Sequence, residues 1–543
     1  MGLNFFNLLF SIWYNINQLL DRFEMKRGTY MAKNNKMAKS AAMISVFTLI
    51  SKFLGFIREM LIATKYGSGY ETDTYFVAMT ATTIIMTTVG TALNTSLIPV
   101  FSEIESLKGK RGKFKFFNNI LNVIFFLTVV LALISFVLSP LIIKILARGF
   151  EGEQFELAVK LNRIGLPIII FLGFTYVFSG FLHSSQIFGP SAIMGIPYNF
   201  VFIFFLLIMA DKVSIYGLML ASVIASTTQF LIQVPAIRHM GVKYEPYVNF
   251  KDKYLKKILI LIIPVLLGSA VQQINTIVDK TLASNLVDGS ISALNYAAKM
   301  NDVVVSVFIA AITTVVFPML SRAFAQGDRK SIRSIMEQGI NTILIITIPA
   351  TVGILILSEP IVRIFFERGA FDSTDTIMTS SALFYYSLGL VGISLKLMLN
   401  KVFYSFQDTK TPMINGAISV GLNVVLNLIF VRFMDHAGLA LATSISAIFT
   451  TSLLLLNLRK KIGPIGLTRY MKTFIKILFS ACIMGVLVYY VYNGLMLKLG
   501  DTWIEELISL SASVLAGILV YFVLCIILGI REVKGLIRIS LKR

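Results

Sequence analysis

Long apolar stretches alternate with short polar segments along most of this chain. From residue 41 onward, each stretch contains about twenty or more mostly apolar residues, which is enough to cross a bilayer as a helix. The pattern predicts an all-α polytopic membrane protein with about 14 transmembrane helices. The predicted spans are 41–64, 74–100, 117–140, 159–182, 191–210, 214–237, 257–284, 291–320, 336–358, 378–400, 412–432, 437–457, 471–493 and 506–530.

The segments between these spans alternate in charge. Basic clusters occupy 108–115, 238–257, 322–333, 401–410, 459–472 and the tail from residue 531. The intervening segments carry few Lys or Arg residues, and they are 65–73, 149–156, 211–213, 285–290, 366–376, 433–436 and 494–505. Cytoplasmic loops of membrane proteins collect Lys and Arg, so the basic set is predicted to face the cytoplasm together with both termini.

Two short motifs recur, which indicates an internal repeat. Leu97–Ser102 resembles Val316–Ser321, and Phe181–Pro190 resembles Phe403–Pro412, at offsets of 219 and 222 residues. The repeat predicts two lobes of six helices in the same orientation, and transporters of this kind hold their substrate between the lobes. The predicted divisions are an N-terminal extension (1–40, cytoplasmic or interfacial), an N-lobe (41–240), a C-lobe (241–460), and helices 13 and 14 with a basic cytoplasmic tail (461–543).

Composition narrows the function classes. The chain is 56% apolar and 14% charged, with a mean hydropathy of +0.80, as in membrane proteins. Its formal charge of +21 is explained by the basic loops, and no basic domain or zinc-ligand cluster supports nucleic-acid binding. There is no phosphate-binding loop or nucleophile elbow, and Asp372 and Asp375 fit a helix cap better than an acid/base pair. The prediction is therefore a non-enzymatic transporter without a cofactor, driven by a Na⁺ or H⁺ gradient, the membrane potential or the substrate's own gradient.

Ionisable side chains inside the apolar stretches are the candidate functional residues. The first span carries Lys52, Arg58 and Glu59, and the eighth carries Lys299 and Asp302. A charge at membrane depth costs roughly 2.5–3.5 kcal/mol on insertion scales. These side chains are therefore expected to line a protein cavity rather than to face lipid.

The excess charge at depth is positive, so the cavity is expected to bind an anionic head group such as phosphate or pyrophosphate. Structural pairing is the alternative for each cation. Arg58 could pair with Glu59 or Asp73, although adjacent helical residues point about 100° apart, which makes Glu59 a poor partner. Lys299 could pair with Asp302 one turn away.

A carboxylate in the seventh span suggests different chemistry. Asp279 has Asn275 and Thr276 within one turn, and such a group could ligate Na⁺ or shuttle a proton. Pairing with Lys280 or with a neighbouring helix is the structural alternative.

Several motifs, in order along residues 40 to 460, resemble those of the MurJ (MviN) lipid II flippases of the multidrug/oligosaccharidyl-lipid/polysaccharide (MOP) exporter superfamily. They are Ser51-Lys-Phe-Leu-Gly-Phe-Ile-Arg-Glu59, Gly67-Ser-Gly-Tyr-Glu-Thr-Asp73, Leu97-Ile-Pro-Val-Phe-Ser-Glu103, Arg368-Gly-Ala-Phe371 and Phe403-Tyr-Ser-Phe-Gln-Asp-Thr-Lys-Thr-Pro412. The resemblance implies two six-helix lobes around a cationic cavity. It also implies export of lipid II, the undecaprenyl-pyrophosphate-linked peptidoglycan precursor, to the outer leaflet of the bacterial cytoplasmic membrane.

The resemblance also implies site residues. The substrate-binding candidates are Ser51, Lys52, Arg58, Glu59, Asp73, Lys299 and Asp302, and the ion-binding candidates are Asp279 and Asp408.

This chain departs from the family pattern at three places. Lys52 stands where the family usually has Arg, Ala298-Lys299 stands where it often has Asp-Arg, and Thr82–Thr88 lacks the usual Arg pair of span 2.

Alternatives remain at this point. The chain could export another undecaprenyl-linked glycan or act as a MATE-like antiporter, although an antiporter for cations should have an acidic cavity. A membrane-embedded glycan enzyme would need carboxylates or a nucleophile at the outer surface. The expected partners are an anionic lipid-linked glycan and membrane lipids, without nucleic acid. The expected assembly is a monomer that works beside the cell-wall synthesis machinery.

Overall fold

The computed structural model describes residues 32–306, 310–463, 467–500, 502–530 and 532–533, and the regular structure of this part of the chain is helical. The predicted interfacial stretch 4–23 lies outside the described residues. The described residues of the predicted spans are mostly helical. Eight described helices are long and apolar enough to cross a membrane, or ten if each of two bent pairs is one span. The all-helical membrane class is confirmed, and the count of 14 crossings stays a prediction.

The described residues of the first half form eight helices. They are α1 (Ala32–Tyr66), α2 (Tyr70–Leu146), α3 (Gly152–Gly165), α4 (Pro167–Ser184), α5 (Gly189–Ile193), α6 (Gly195–Ile208), α7 (Ile215–Leu231) and α8 (Val234–His239).

The second half forms nine helices among its described residues. They are α9 (Lys253–Ala283), α10 (Ser290–Val304), α11 (Ala310–Ala325), α12 (Arg329–Phe366), α13 (Ser373–Leu388), α14 (Leu390–Ser405), α15 (Lys410–Ile462), α16 (Leu467–Leu499) and α17 (Trp503–Ile527).

Two helices are too long to be single crossings. The 77 residues of α2 would extend about 115 Å if straight, several times a bilayer core. The helix is broken at Gly109, whose φ of 67° lies in the left-handed region that glycine adopts readily. Similarly, α15 is broken at Asp435, with φ 48°. Each helix therefore consists of two segments that turn back on each other.

Two further bends occur inside the second half. The α9 helix bends by 48° between Lys253–Leu266 and Gly268–Ala283, next to Pro264, which cannot donate a backbone hydrogen bond. The α13 and α14 helices meet at 47° around Gly389. A Cβ at Gly389 would lie 2.6 Å from Ser444 Oγ, so only glycine allows the two chains to approach this closely.

The buried core differs between the two ends of the bundle. At the end that the loop charges predict to be outside, one cluster of apolar side chains joins both halves of the chain, with Phe76 and Leu218 packed in the same cluster as Leu294 and Phe366. Two further clusters are separate from it: one within residues 92–262, which includes the start of α9, and one within residues 316–533. The two halves are therefore joined at the outer end by the shared cluster and at the inner end by α9, which packs against α2.

An extended segment at 242–250 connects the halves and is held against α2. Asn119 exchanges two hydrogen bonds with the backbone of Asn249, at 3.1 and 2.6 Å. Asn118 and Asn122 donate to backbone carbonyls of the same segment, Lys243 O at 2.9 Å and Glu245 O at 3.0 Å. These three asparagines, which we call the asparagine clamp, fix the connecting segment to the first half.

A lysine is buried beside the break in α2. Lys113 is 1% exposed, and its ammonium group lies 2.7 Å from Glu105 and 2.7 Å from Ser185 Oγ. The same group lies 5.2 Å from the Phe181 ring centroid. Lys113 thus ties the two segments of α2 to the end of α4.

Candidate functional site

Arg58 of α1 is held by charge, amide and aromatic contacts. Its guanidinium donates to Glu59 at 2.5 Å and to Asn199 Oδ1 at 3.3 Å, and it lies 5.4 and 5.1 Å from the ring centroids of Tyr198 and Phe202. The expectation that Glu59 is a poor partner is therefore wrong. A long arginine side chain can fold back toward its neighbour, and the buried Glu59 carboxylate requires a counter-charge.

Asn199 fixes the direction of this contact. Its amide nitrogen donates to Ser51 O at 3.0 Å and to Gly195 O at 2.8 Å, which leaves its oxygen turned toward Arg58. Sequence reasoning missed Asn199 and Tyr198, because an amide and a ring inside an apolar span carry no charge signal. A polar residue next to Pro197 was the available hint.

Five predicted residues line one cavity of about 260 Å³. Ser51, Lys52 and Arg58 come from α1, and Lys299 and Asp302 come from α10. The cavity thus lies between the two halves of the chain. Tyr198, Asn199, Gln229 and Ser306 are further polar residues of its lining.

The cavity contains two lysines without a protein partner. Within the described part of the chain, neither Lys52 nor Lys299 has a hydrogen bond or an ion pair, so the predicted alternative of a Lys299–Asp302 pair is not formed. Arg58 is paired with the Glu59 carboxylate, whereas the two ammonium groups have no partner among the described residues. We call this space the cationic cavity.

Glu59 and Asp73 lie beside the cationic cavity rather than on its lining. Glu59 is 3% exposed, and its second oxygen accepts from Asn295 of α10 at 3.4 Å. It therefore links Arg58 to the second half. Asp73 is equally buried and faces α10 instead of Arg58, where it accepts from Gly289 N at 2.8 Å, Ser292 N at 2.7 Å and Ser292 Oγ at 2.5 Å.

Asp73 belongs to a hydrogen-bonded junction at the predicted outer end, which we call the outer seal. Ser68 donates from its backbone nitrogen to Asp375 Oδ2 at 3.0 Å and from its hydroxyl to Gly289 O at 3.0 Å. Tyr296 donates to Gly67 O at 3.1 Å. The segments that form the seal are those that the charge pattern places outside.

Backbone atoms form many of the contacts in the outer seal. Ala370 N donates to Thr64 O at 2.8 Å, beside Gly369, whose φ is 66°. Gly289 has φ 90°, and a Cβ there would lie 2.6 Å from Ser68 O. A side chain is therefore excluded at position 289. The predicted cap of α13 is confirmed, because Asp372 and Asp375 form a capping box.

Asp279 of α9 lies in a separate polar cluster. Its two oxygens accept from Asn427 Nδ2 at 2.6 Å and from Asn275 Nδ2 at 3.1 Å. Asn427 also donates to Asn423 Oδ1 at 2.9 Å. Of the two structural alternatives, the neighbouring helix provides the partner. Lys280 forms no ion pair with Asp279 within 4 Å among the described residues, and its ammonium lies 5.9 Å from the Phe76 ring centroid.

Asp408 caps the start of α15 instead of lining either site. It accepts from Thr411 N at 3.0 Å and Thr411 Oγ1 at 2.9 Å, and it pairs with Lys461 at 2.5 Å. Burial raises the pKa of Asp408, but the Lys461 and Thr411 hydrogen bonds outweigh burial and lower this pKa to about 2. A carboxylate already paired with a lysine is a poor cation ligand.

The uncharged stretch of span 2 does not replace the missing cations. Thr82, Thr83 and Thr88 each donate their hydroxyl to a backbone carbonyl of their own helix, at 2.7–2.8 Å. The cations on the lining of the cationic cavity therefore come from α1 and α10.

Comparisons with known proteins agree with this geometry. The profile of the family "Lipid II flippase MurJ" matches residues 62–510. The chain is 28% identical over 509 residues to the probable lipid II flippase MurJ of Rhizobium tropici, covering 91% of this chain and 95% of the relative. It is 29% identical over 520 residues to that of Vibrio cholerae serotype O1, covering 92% and 97%.

Solved structures show the same fold. A lipid II flippase MurJ in an inward closed conformation superposes with a TM-score of 0.75 at 29% identity, covering 92% of this chain and 100% of that one. An inward-facing MATE family transporter of the MOP superfamily has a TM-score of 0.64 at 15% identity, covering 78% and 98%. The second match concerns the fold alone.

Proposed function

Since the chain belongs to the MurJ lipid II flippase family, as its motifs predict, we propose that it moves lipid II from the inner to the outer leaflet by alternating access. The supporting observation is the cationic cavity, which has Lys52, Arg58 and Lys299 on its lining and lies between the two halves of the chain. A cation antiporter of the same fold would need an acidic cavity. Among the described residues of this lining, Asp302 is the one carboxylate.

The residues suit an anionic head group. Arg58 is preorganised by Glu59 and Asn199, so that little side-chain entropy is lost when it meets a phosphate oxygen. Lys52 and Lys299 are exposed on the lining of the cavity and act as point charges that attract an anion. Lysines thus take the positions that arginines usually occupy in the family.

Transport requires the outer seal to open. In the sealed state, a head group would enter the cationic cavity from the inner end. Opening of the seal and closing of the inner end would release the cargo outside. Under this proposal both termini lie in the cytoplasm. The protein acts as a transporter without catalysing a covalent step, and it works as a monomer because the cavity is built within one chain.

We further propose that Na⁺ supplies the driving force through Asp279. The carboxylate sits among amide side chains of α9 and α15, and oxygen-rich groups of this kind are suitable Na⁺ ligands. Asp279→Asn should abolish the sodium dependence of transport in vesicles that contain purified protein. An unchanged sodium dependence would reject this site in favour of a H⁺ gradient or the membrane potential.

Complementation tests the main proposal. In a strain depleted of its own flippase, the unchanged protein should restore growth and clear accumulated lipid II. Arg58→Ala should insert into the membrane but restore neither, whereas Arg148→Ala, which removes an exposed arginine from an outer loop, should restore both. Normal growth with Arg58→Ala would overturn the role of the cationic cavity. Lys52→Arg should remain active, because the charge is kept.

A further inference from the structure

A second and larger cleft opens between α9, α14 and α15. Its volume is about 750 Å³, nearly three times that of the cationic cavity. Lys396, Asn400 and Tyr404 of α14 line one side, and Gln272 of α9 and Lys410 at the start of α15 line the others. Ligand sites for small molecules occupy about 300–1,000 Å³, so the cleft is large enough for part of a head group.

This cleft continues deeper into the second half. A neighbouring cavity of about 300 Å³ shares Gln272, Lys396 and Thr450 with it, and it reaches Asn275 and Asn423 beside Asp279. Neither space shares a lining residue with the cationic cavity. The two polar regions are therefore distinct.

The cleft is positively charged and its charge is uncompensated. None of the described residues that line it is acidic. Within the same described part of the chain, Lys396 and Lys410 form no hydrogen bond and no ion pair. Lys396 is nine residues from the end of α14, which places it about 14 Å inside the bundle. An unpaired ammonium at this depth favours an anion from outside the chain.

We propose that this cleft is a second anion subsite, where Lys396 and Lys410 bind carboxylates of the cargo's head group while the cationic cavity holds its pyrophosphate. The inference rests on the proposed function. A peptidoglycan precursor carries a short peptide with free carboxylates besides its pyrophosphate. Ammonium groups donate charge-assisted hydrogen bonds to such carboxylates.

The neutral lining fits the rest of that head group. Gln272, Asn400 and Tyr404 can donate to and accept from the amides and hydroxyls of a peptide and a sugar. A pyrophosphate alone would leave most of the 750 Å³ unfilled. The larger cleft therefore suits the larger end of the cargo.

Binding to the purified full-length protein tests the subsite with three ligands: lipid II, lipid II with its peptide carboxylates amidated, and undecaprenyl pyrophosphate. Lys396→Gln should weaken binding of lipid II about tenfold, equivalent to about 1.4 kcal/mol. It should leave the affinities for the other two ligands unchanged. Lys396→Arg should bind lipid II as the unchanged protein does, which also shows that the position tolerates substitution.

Lys401→Gln is the matched control. Lys401 is exposed on α14 outside the cleft, with its ammonium 5.7 Å from the Phe317 ring centroid, and its replacement should alter none of the three affinities. A tenfold loss in Lys396→Gln that extends to undecaprenyl pyrophosphate would assign Lys396 to phosphate and overturn the inference. The absence of any loss for lipid II would overturn it as well.

Binding of the three ligands distinguishes failure of the subsite proposal from failure of the proposed function. If the unchanged protein binds undecaprenyl pyrophosphate but does not distinguish lipid II from its amidated form, this inference alone fails. If the unchanged protein binds none of the three ligands, the proposed function fails and the subsite with it. Arg58→Ala should weaken the binding of all three, because each carries the pyrophosphate.

Discussion

Replacing Asp73 by asparagine should destabilise the outer seal. Asp73 accepts three hydrogen bonds from Gly289 and Ser292. An asparagine has one acceptor oxygen, so its amide nitrogen would face a backbone N–H donor, and the remaining hydrogen bonds would lose the help of a charge. A hydrogen bond to a charged group contributes about 1.5–3 kcal/mol, and one between neutral groups about 0.5–1.5 kcal/mol.

Loss of one charged hydrogen bond and weakening of the other two should cost the sealed state about 2–4 kcal/mol relative to the open state. This difference corresponds to a change of roughly 30- to 900-fold in the ratio of sealed to open protein. The overall fold should be retained, because the apolar core that surrounds the seal is untouched.

Cysteine labelling measures this ratio. Ser290→Cys places a thiol at a fully buried position beside the seal, in a protein whose two native cysteines are replaced (Cys482→Ser and Cys525→Ser). A membrane-impermeant maleimide added from the outside should label this thiol at least tenfold faster in the Asp73→Asn protein. Asp288→Asn is the matched control, since it removes the same charge from an exposed position in the adjacent loop.

Equal labelling rates in the Asp73→Asn and Asp288→Asn proteins would refute the reasoning, since the three hydrogen bonds would then contribute nothing to closure. Faster labelling accompanied by loss of the folded protein on size-exclusion chromatography would also contradict it, because the asparagine would then destabilise the fold rather than the sealed state.

Three other perturbations test features outside the seal. Lys113→Met should lower the free energy of unfolding by about 1–2 kcal/mol, because it removes the two hydrogen bonds of a buried ammonium group. Lys110→Met, at an exposed position, should change this free energy little. Thermal unfolding in detergent measures both variants. The pKa of Asp408 is lowered to about 2, so its pairing with Lys461 should stabilise the protein fully above about pH 4 and lose its effect as the pH falls toward 2. Unfolding measured as a function of pH should show this loss of stability in the unchanged protein and not in Asp408→Asn. Asn119→Ala should free the connecting segment and speed trypsin cleavage within 242–250 severalfold.

These outcomes can be contradicted separately. Equal stability of Lys113→Met and Lys110→Met would mean that the buried ammonium is not needed to hold α2 against α4. A parallel pH dependence in Asp408→Asn would assign the acid sensitivity to other groups. Unchanged cleavage in Asn119→Ala would mean that Asn118 and Asn122 alone hold the segment.

The charged residues of the site could be predicted because charge at membrane depth is costly and therefore informative. Lys52, Arg58 and Lys299 were expected in one cavity, and the structure brings them together. The pairing of Arg58 with Glu59 was missed, because helix geometry gives the direction of Cβ and not the path of a long side chain.

The outer seal could not be predicted from side-chain types. Ala370 and Thr64 meet through backbone atoms, which every residue carries, and Ser68 also uses its backbone nitrogen. Gly289 and Gly369, which both have positive φ, can be read from the sequence as glycines, but a glycine in a loop has many possible reasons. The amide cluster around Asp279 was foreseen only within its own helix, because Asn427 comes from a helix 148 residues away.

The outer seal joins positions about one predicted repeat apart: Asp73 and Ser292 are separated by 219 residues, and Ser68 and Gly289 by 221. If the two halves descend from one ancestral half that paired with itself, this junction lies on the former symmetry axis, where each side chain would have met its own copy. Two facing carboxylates repel each other, and two serines give a weaker contact. Once the halves are fused into one chain, the residues on the two sides of the axis can differ. A hydrogen-bond acceptor in one half can then face a donor in the other. The Asp73–Ser292 contact is an arrangement that a symmetric dimer cannot make on its axis.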